Sequence, residues 1–236
     1  MKNNLSQKAY TMLTAEGFYK QPEDATPEVT LRRPADTFST FHGVKDQQLA
    51  DRIYHAIINK WFMYSSPVLS NSLPAAEPLT TPSEGTQGLP ISCFLSMIPD
   101  SKEGLVAARS EAAWLSMMGG GISVYASNRS VDTKSTGVMA HLKGHDSDTL
   151  SYRQTATRRG SMAAYLDIDH PEIVSFLEMR DPTGGDSNKK CFNLNNAVNL
   201  TDSYMHAVIN GTSYPLIDPK HGDTGKTLDA REIWEL

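Results

Sequence analysis

Four short strand-like runs constrain this chain more than any other feature: Ile91–Ile98, residues 121–126, Ser161–Ile168 and Leu194–Leu200. Each has strand length, and Ile91–Ile98 and Ser161–Ile168 have the apolar character of a buried strand. Helical patterns stand between them. Asp100-Ser101-Lys102-Glu103 opens one, with Ser101 and its acidic neighbours as start signals. Leu105, Ala108, Ala112, Leu115 and Met118 carry it to Gly119-Gly120-Gly121. Residues 127–150 are polar and loop-rich, with room for a helix near 137–143. Pro171–Met179 reads as a helix with proline in its first turn. Asp181–Lys190 is a polar loop and Asp202–Ile209 a short helix. The order strand, helix, strand, loop, strand, helix, strand, helix predicts an α/β fold with a largely parallel sheet.

Ahead of the strands, residues 4–20 read as a helical opening on Leu5, Ala9, Tyr10, Leu13 and Phe18. Residues 21–36 are polar and contain proline, and read as an extended arm. Residues 46–63 form a helix whose Leu49, Ile53, Ile57, Ile58 and Trp61 are expected to pack inward. Residues 72–90 carry Pro74, Pro78, Pro82 and Pro90 and form a loop of a length often tied to function. This divides the chain into an N-terminal helix and arm, 1–45, and one unit over 46–236. At its far end, Thr227–Leu236 reads as an amphipathic helix that has only begun, with Ile233, Trp234 and Leu236 awaiting a partner. The chain is therefore expected to be the front part of something longer.

Composition narrows the function. Lys plus Arg is 22 against 27 Asp plus Glu, a net charge of −5. That balance argues against general nucleic-acid binding, while leaving a local basic loop able to hold a phosphate. No apolar run approaches the roughly eighteen residues of a membrane span, and the first eight residues lack the apolar core of a secretory signal. The only two cysteines, Cys93 and Cys191, are too few for a disulfide framework and suit a reducing, cytoplasmic setting.

Several residues invite chemistry, each with a plainer alternative. Gly119-Gly120-Gly121 ends a helix, and one left-handed glycine cap accounts for part of it. Three in a row running into Ile122-Ser123-Val124 also let a ligand approach the backbone. Arg158-Arg159-Gly160-Ser161 is either a solvated basic turn or a loop whose guanidinium binds an anion or a base edge. Cys93 is either a small core residue or a redox thiol, which needs access and a second cysteine. Cys191, beside Phe192, reads as a core or edge residue. His141 and His145 are four apart but lack a zinc motif, and Asp167, Asp169 and His170 read as turn and capping residues, so no metal site is expected. No phosphate loop, dinucleotide fingerprint or nucleophile elbow is present.

Taken in order, Ser65-Ser66-Pro67-Val68-Leu69-Ser70-Asn71, Ser92-Cys93-Phe94-Leu95, Asp100-Ser101, Gly119-Gly120-Gly121-Ile122 and Arg159-Gly160-Ser161-Met162-Ala163-Ala164-Tyr165-Leu166 resemble the large, catalytic subunit of aerobic ribonucleotide reductase. Asp167-Ile168-Asp169-His170-Pro171-Glu172-Ile173, Pro182-Thr183-Gly184-Gly185-Asp186 and Ala197-Val198-Asn199-Leu200-Thr201-Asp202 extend the match from about residue 46 to the end. Each motif is weak alone; the ordered set is specific.

The resemblance implies the first half of a ten-stranded α/β barrel with an N-terminal helical extension. It implies reduction of a ribonucleotide 2′-hydroxyl by thiyl-radical chemistry. Cys93 matches the first cysteine of the redox pair. Ser66, Ser92, Gly119 and Gly120 match the pocket for substrate phosphate and ribose, where hydroxyls and unhindered N–H groups suit phosphate oxygens. Asp100, Ser101, Lys102 and Arg129 match the allosteric specificity site, which takes ATP or a deoxynucleoside triphosphate. Arg158, Arg159 and Gly160 match the loop that carries effector identity to the substrate base, with Arg159 first for the base contact.

The family's Asn-x-Cys-x-Glu motif, second redox cysteine and C-terminal cysteine pair are absent from the sequence, and the front segment is too short for an ATP-cone domain. The resemblance therefore implies a split or truncated subunit that is inactive alone. Its partners would be the C-terminal part, a radical-generating small subunit, a second copy through the specificity-site region, and thioredoxin or glutaredoxin. The chain itself would hold no cofactor; the radical would come from a metal-containing small subunit, with adenosylcobalamin as the alternative. Neither nucleic acid nor membrane is an expected partner. The location would be cytoplasmic, and the host cytoplasm if phage-encoded. A non-catalytic nucleotide-binding module and an inactive remnant are the rival readings.

Overall fold

The computed structural model describes residues 6–14, 26–42, 44–72, 90–91, 93–152 and 161–236, and these fall into two compact units, one before residue 93 and one from Cys93 onward. Ser92, Arg158, Arg159 and Gly160, expected at the substrate pocket and the specificity loop, and most of the 72–90 loop lie outside the described residues.

The first unit contains α1 (Gln7–Thr14), α2 (Pro27–Phe38), the two-stranded hairpin of β1 (Thr40–Phe41) and β2 (Val44–Lys45), α3 (Gln47–Ile58) and α4 (Ser66–Asn71). Leu13, Leu31, Ile57 and Leu69 form its core. The extended arm expected over 21–36 is corrected here, because α2 occupies most of it. Pro27 stands at the helix start, where its missing N–H costs nothing. Thr26 caps that end by accepting from the Val29 N–H. Pro34 breaks one internal hydrogen bond, but Thr30, Leu31, Arg33 and Ala35 are buried, so packing overrides propensity. The buried Arg33 guanidinium donates to the Leu69 and Ser72 carbonyls at 2.8 and 2.7 Å, which ties α2 to the end of α4. Trp61 is a second correction. The α3 helix ends at Ile58, Lys60 turns with φ +62°, and Trp61 is 72 % exposed against the His55 ring.

The second unit runs β3 (Cys93–Ile98), α5 (Lys102–Met117), β4 (Gly121–Ala126), α6 (Gly137–Ser151), β5 (Ser161–Asp167), α7 (Ile173–Leu177), two 3-10 turns, β6 (Leu194–Asn199), α8 (Asp202–Asn210), β7 (Ser213–Asp218), β8 (Gly222–Asp229) and α9 (Ala230–Glu235). The strands β3-β4-β5-β6 form one sheet in that order, every pair parallel. The expected α/β architecture is therefore present. The antiparallel hairpin β7–β8 was not anticipated. The helix begun at the end of the sequence is α9, capped by Asp229, with Ile233 buried and Trp234 and Leu236 exposed. The helix near 137–143 extends to Ser151, and the one at 171–179 is a short α-turn followed by a 3-10 turn.

Side chains alternate across a strand, and here the two faces differ. Ile98, Ile122, Val124, Ala126, Met162, Ala164, Leu166 and Leu194 point to one face and are buried. There α5 packs on β3 and β4, and α6 on β5 and β6. Cys93, Leu95, Met97 and Tyr165 point the other way and are exposed, Leu95 by 84 %. The run expected as a buried strand at 91–98 is thus the edge strand β3, apolar on both sides but covered on one. Among the described residues no helix is long and apolar enough to cross a membrane.

Candidate functional site

The parallel register sets the first half of the site. Cys93 pairs with Gly121, and Gly121 with Ser161, so three strand beginnings lie in one row. Cys93 heads the edge strand and is exposed. Cys93 is therefore outside the core that the described residues form. Cys191 is the opposite case. It is fully buried, its N–H bonds to the Met179 carbonyl at 2.9 Å, and burial, with Asp146 nearby, pushes its thiol up to about 11. It is a core residue, one of the two positions, core or edge, expected for it.

The glycine turn beside Cys93 works differently from expectation. Gly119 takes φ +80°, a left-handed value that favours glycine. The Gly119 and Gly120 N–H groups donate to the Ser116 and Leu115 carbonyls, each at 3.0 Å. They close the last turn of α5, so these donors are not open to phosphate oxygens. What Gly120 contributes is clearance, since a Cβ there would lie 2.6 Å from the Phe94 ring. Ser66 stands exposed at the start of α4 in the first unit.

The second half of the site lies at the other ends of the same strands, where parallel α/β sheets commonly bind ligands. Asp100, Ser101 and Lys102 form the turn from β3 into α5. The Ser101 hydroxyl accepts from the Gly104 N–H at 3.0 Å as the helix cap, and Lys102 is exposed. Arg129 follows β4. Its Nε lies 3.6 Å from Asp100 Oδ2 and 3.5 Å from Asp132 Oδ2, which brings two of the expected residues together. That Nε is buried and has no hydrogen-bond partner among the described residues; the same holds for the amide of Asn128 beside it.

On the open sheet face sits a cluster that sequence reading missed. The Tyr125 hydroxyl donates to Asp167 Oδ2, and Asn199 Nδ2 donates to Asp167 Oδ1 at 2.9 Å. Burial and Asp167 together raise the Tyr125 hydroxyl to about 12, which keeps it a donor. Two-residue periodicity places all three on one face, but only the strand register shows that they meet. Among the described residues no group of three or more His, Cys, Asp or Glu is gathered for a metal ion.

The four-stranded parallel sheet, covered by α5 and α6 on one face and headed at its edge by an exposed thiol, places the chain in the α/β class. Residues 91–234 match the family described as "Ribonucleotide reductase, barrel domain", and the chain belongs to that family. It is 37 % identical, over its whole length, to the ribonucleoside-diphosphate reductase large subunit of Invertebrate iridescent virus 3, of which it covers 35 %. Over 198 residues, 80 % of the chain, it is 40 % identical to the corresponding large subunit of Invertebrate iridescent virus 6, of which it covers 19 %. A solved class Id ribonucleotide reductase alpha subunit from Actinobacillus ureae superposes on 98 % of the chain with a TM-score of 0.70 and 25 % identity, and the chain covers 37 % of it. The chain thus spans about a fifth to a third of the curated relatives it matches.

Proposed function

We propose that the chain is the N-terminal part of a ribonucleoside-diphosphate reductase large subunit and acts when joined to the remainder of that subunit, whether on the same polypeptide or a separate one. The observation that carries this reading is the open sheet face headed by the exposed Cys93. All-parallel sheets are ordinarily covered on both faces. A second half-barrel would cover this one and enclose the thiol.

In the reaction, a cysteine radical on the remainder removes the 3′ hydrogen of the ribonucleotide and later returns it. The 2′-hydroxyl leaves as water. Cys93 and a second cysteine on the remainder supply two electrons and two protons and become a disulfide, which thioredoxin or glutaredoxin reduces again. Ser66, Ser92 and the Gly119–Gly120 turn border the substrate; the turn does so through its lack of side chains. Asp100, Ser101, Lys102 and Arg129 take ATP or a deoxynucleoside triphosphate, and Arg158, Arg159 and Gly160 pass its identity to the substrate base. A metal-containing small subunit supplies the radical, with adenosylcobalamin as the alternative source, and this chain holds no cofactor. The subunit pairs with a second copy through the specificity region and works in the cytoplasm, without nucleic acid or membrane.

The test is reconstitution. The chain is mixed with a polypeptide carrying the Asn-x-Cys-x-Glu motif, a small subunit and a dithiol reductant, and deoxyribonucleotide formation is followed. Reduction by the mixture, and by neither part alone, supports the proposal. A stable complex with no reduction, alongside tight triphosphate binding, favours a nucleotide-binding module instead.

A further inference from the structure

The surroundings of Arg129 carry one more step, which rests on the proposed effector role of that residue. The β7–β8 hairpin tip reaches the segment after β4 at two points. Asp218 Oδ2 accepts from the N–H and hydroxyl of Ser130, at 2.9 and 2.7 Å. His221 Nε2 lies 3.2 Å from Asp132 Oδ2. The same Asp132 oxygen is the one that stands 3.5 Å from Arg129 Nε. Two groups therefore share one carboxylate oxygen, one from the hairpin and one from the candidate anion site. Arg129 meanwhile has a second carboxylate, Asp100, at 3.6 Å, yet its buried Nε–H makes no hydrogen bond to any described residue. One guanidinium thus faces two carboxylates while its buried Nε–H is unsatisfied, so a hydrogen bond is gained if the guanidinium turns toward an incoming oxygen.

We infer that Asp132 and His221 are positioning residues that set the availability of Arg129 to a triphosphate. Asp132 masks the guanidinium, and His221 draws the shared oxygen away and weakens the mask. The two neighbours therefore act with opposite signs. The Lys134 N–H, bonded to the other Asp132 oxygen at 2.6 Å, holds the carboxylate in place throughout.

Binding of dTTP and of inorganic tripolyphosphate to the full chain is measured by titration calorimetry. Asp132→Asn should tighten both about two- to fivefold, the range of a partly exposed ion pair. His221→Ala should weaken them by about twofold, and His221→Gln, which keeps a donor for Asp132, should restore the original value. In the Asp132→Asn background, His221→Ala should have no effect. Arg129→Ala separates the two ideas. If it leaves binding of both probes unchanged, the effector reading of Arg129 fails. If Arg129→Ala weakens binding but Asp132→Asn does not tighten it, or His221→Ala acts equally in both backgrounds, the positioning inference alone fails. Absence of binding by every form, Asp132→Asn included, overturns both.

Discussion

Along the same strands, one residue apart, the sheet shows two environments. Val124, Ala164 and Leu166 are wholly buried beneath α5 and α6, whereas Leu95 is 84 % exposed and Tyr165 also faces outward. The chemical difference between the faces is smaller than the difference in cover. Leucine and methionine stand on both. An ordinary solvent-facing strand side alternates to polar residues, and β3 does not. On β3 the open face is apolar, with Leu95 and Met97 exposed, and further along the sheet it carries the Tyr125–Asp167–Asn199 cluster, with Cys93 at its edge. The covered face carries Leu194 and the apolar core, with Cys191 buried in the same cluster.

The comparison breaks most sharply at the two thiols. In a reconstituted reductase, Cys93→Ser should abolish multiple turnover with a thioredoxin-type reductant, while Cys191→Ser should keep turnover and lower the melting temperature. Sustained turnover by Cys93→Ser would remove the functional meaning of the open face. Next in size is packing. Leu166→Ala should cost about 2–5 kcal/mol in urea unfolding of the chain, and Leu95→Ala about 0.5 kcal/mol or less. Equal costs would mean that the open face is covered in solution.

A comparable effect is expected from pH on the helix side. Burial lowers His145 to about 4, so it is neutral in the folded chain, while its unfolded form titrates near 6.5. The unfolded state binds the extra proton between those values. Stability should therefore fall as pH drops from about 6.5 to about 4, by about 3 kcal/mol from this residue. Denaturant titrations of His145→Gln should show a flatter profile over that window; an unchanged slope would place the loss elsewhere. The smallest effect is one of rate alone. A thiol-exchange reagent at pH 8 should modify Cys93 in the native chain and reach Cys191, with its thiol near 11, only on unfolding. Equal modification rates would contradict the burial difference.

Much of this was legible in residue order. The strand-like runs marked the four strands of the parallel sheet, and Ser101 marked the start of α5 because a cap needs only its own hydroxyl and the next turn. The 21–36 stretch misled because proline spacing is local evidence, and the buried Arg33 and Leu31 that stabilise α2 act on distant residues. The glycine turn also misled. Its flexibility was visible, but the use of its N–H groups by Ser116 and Leu115 depends on how α5 ends. The β7–β8 hairpin escaped because Thr224, Gly225 and Lys226 carry no apolar alternation.

The sequence by itself determined the order of the four parallel strands, the class of sheet they form and the ordered motifs that resemble one family, since periodicity, caps and motif spacing are written along the chain. The tertiary structure alone decided which side of each strand is covered and which cysteine is reached by solvent. It also decided that a hairpin some ninety residues away shares a carboxylate with Arg129. Those outcomes depend on register and packing between distant segments, where alternation offers two faces and only the helices choose between them.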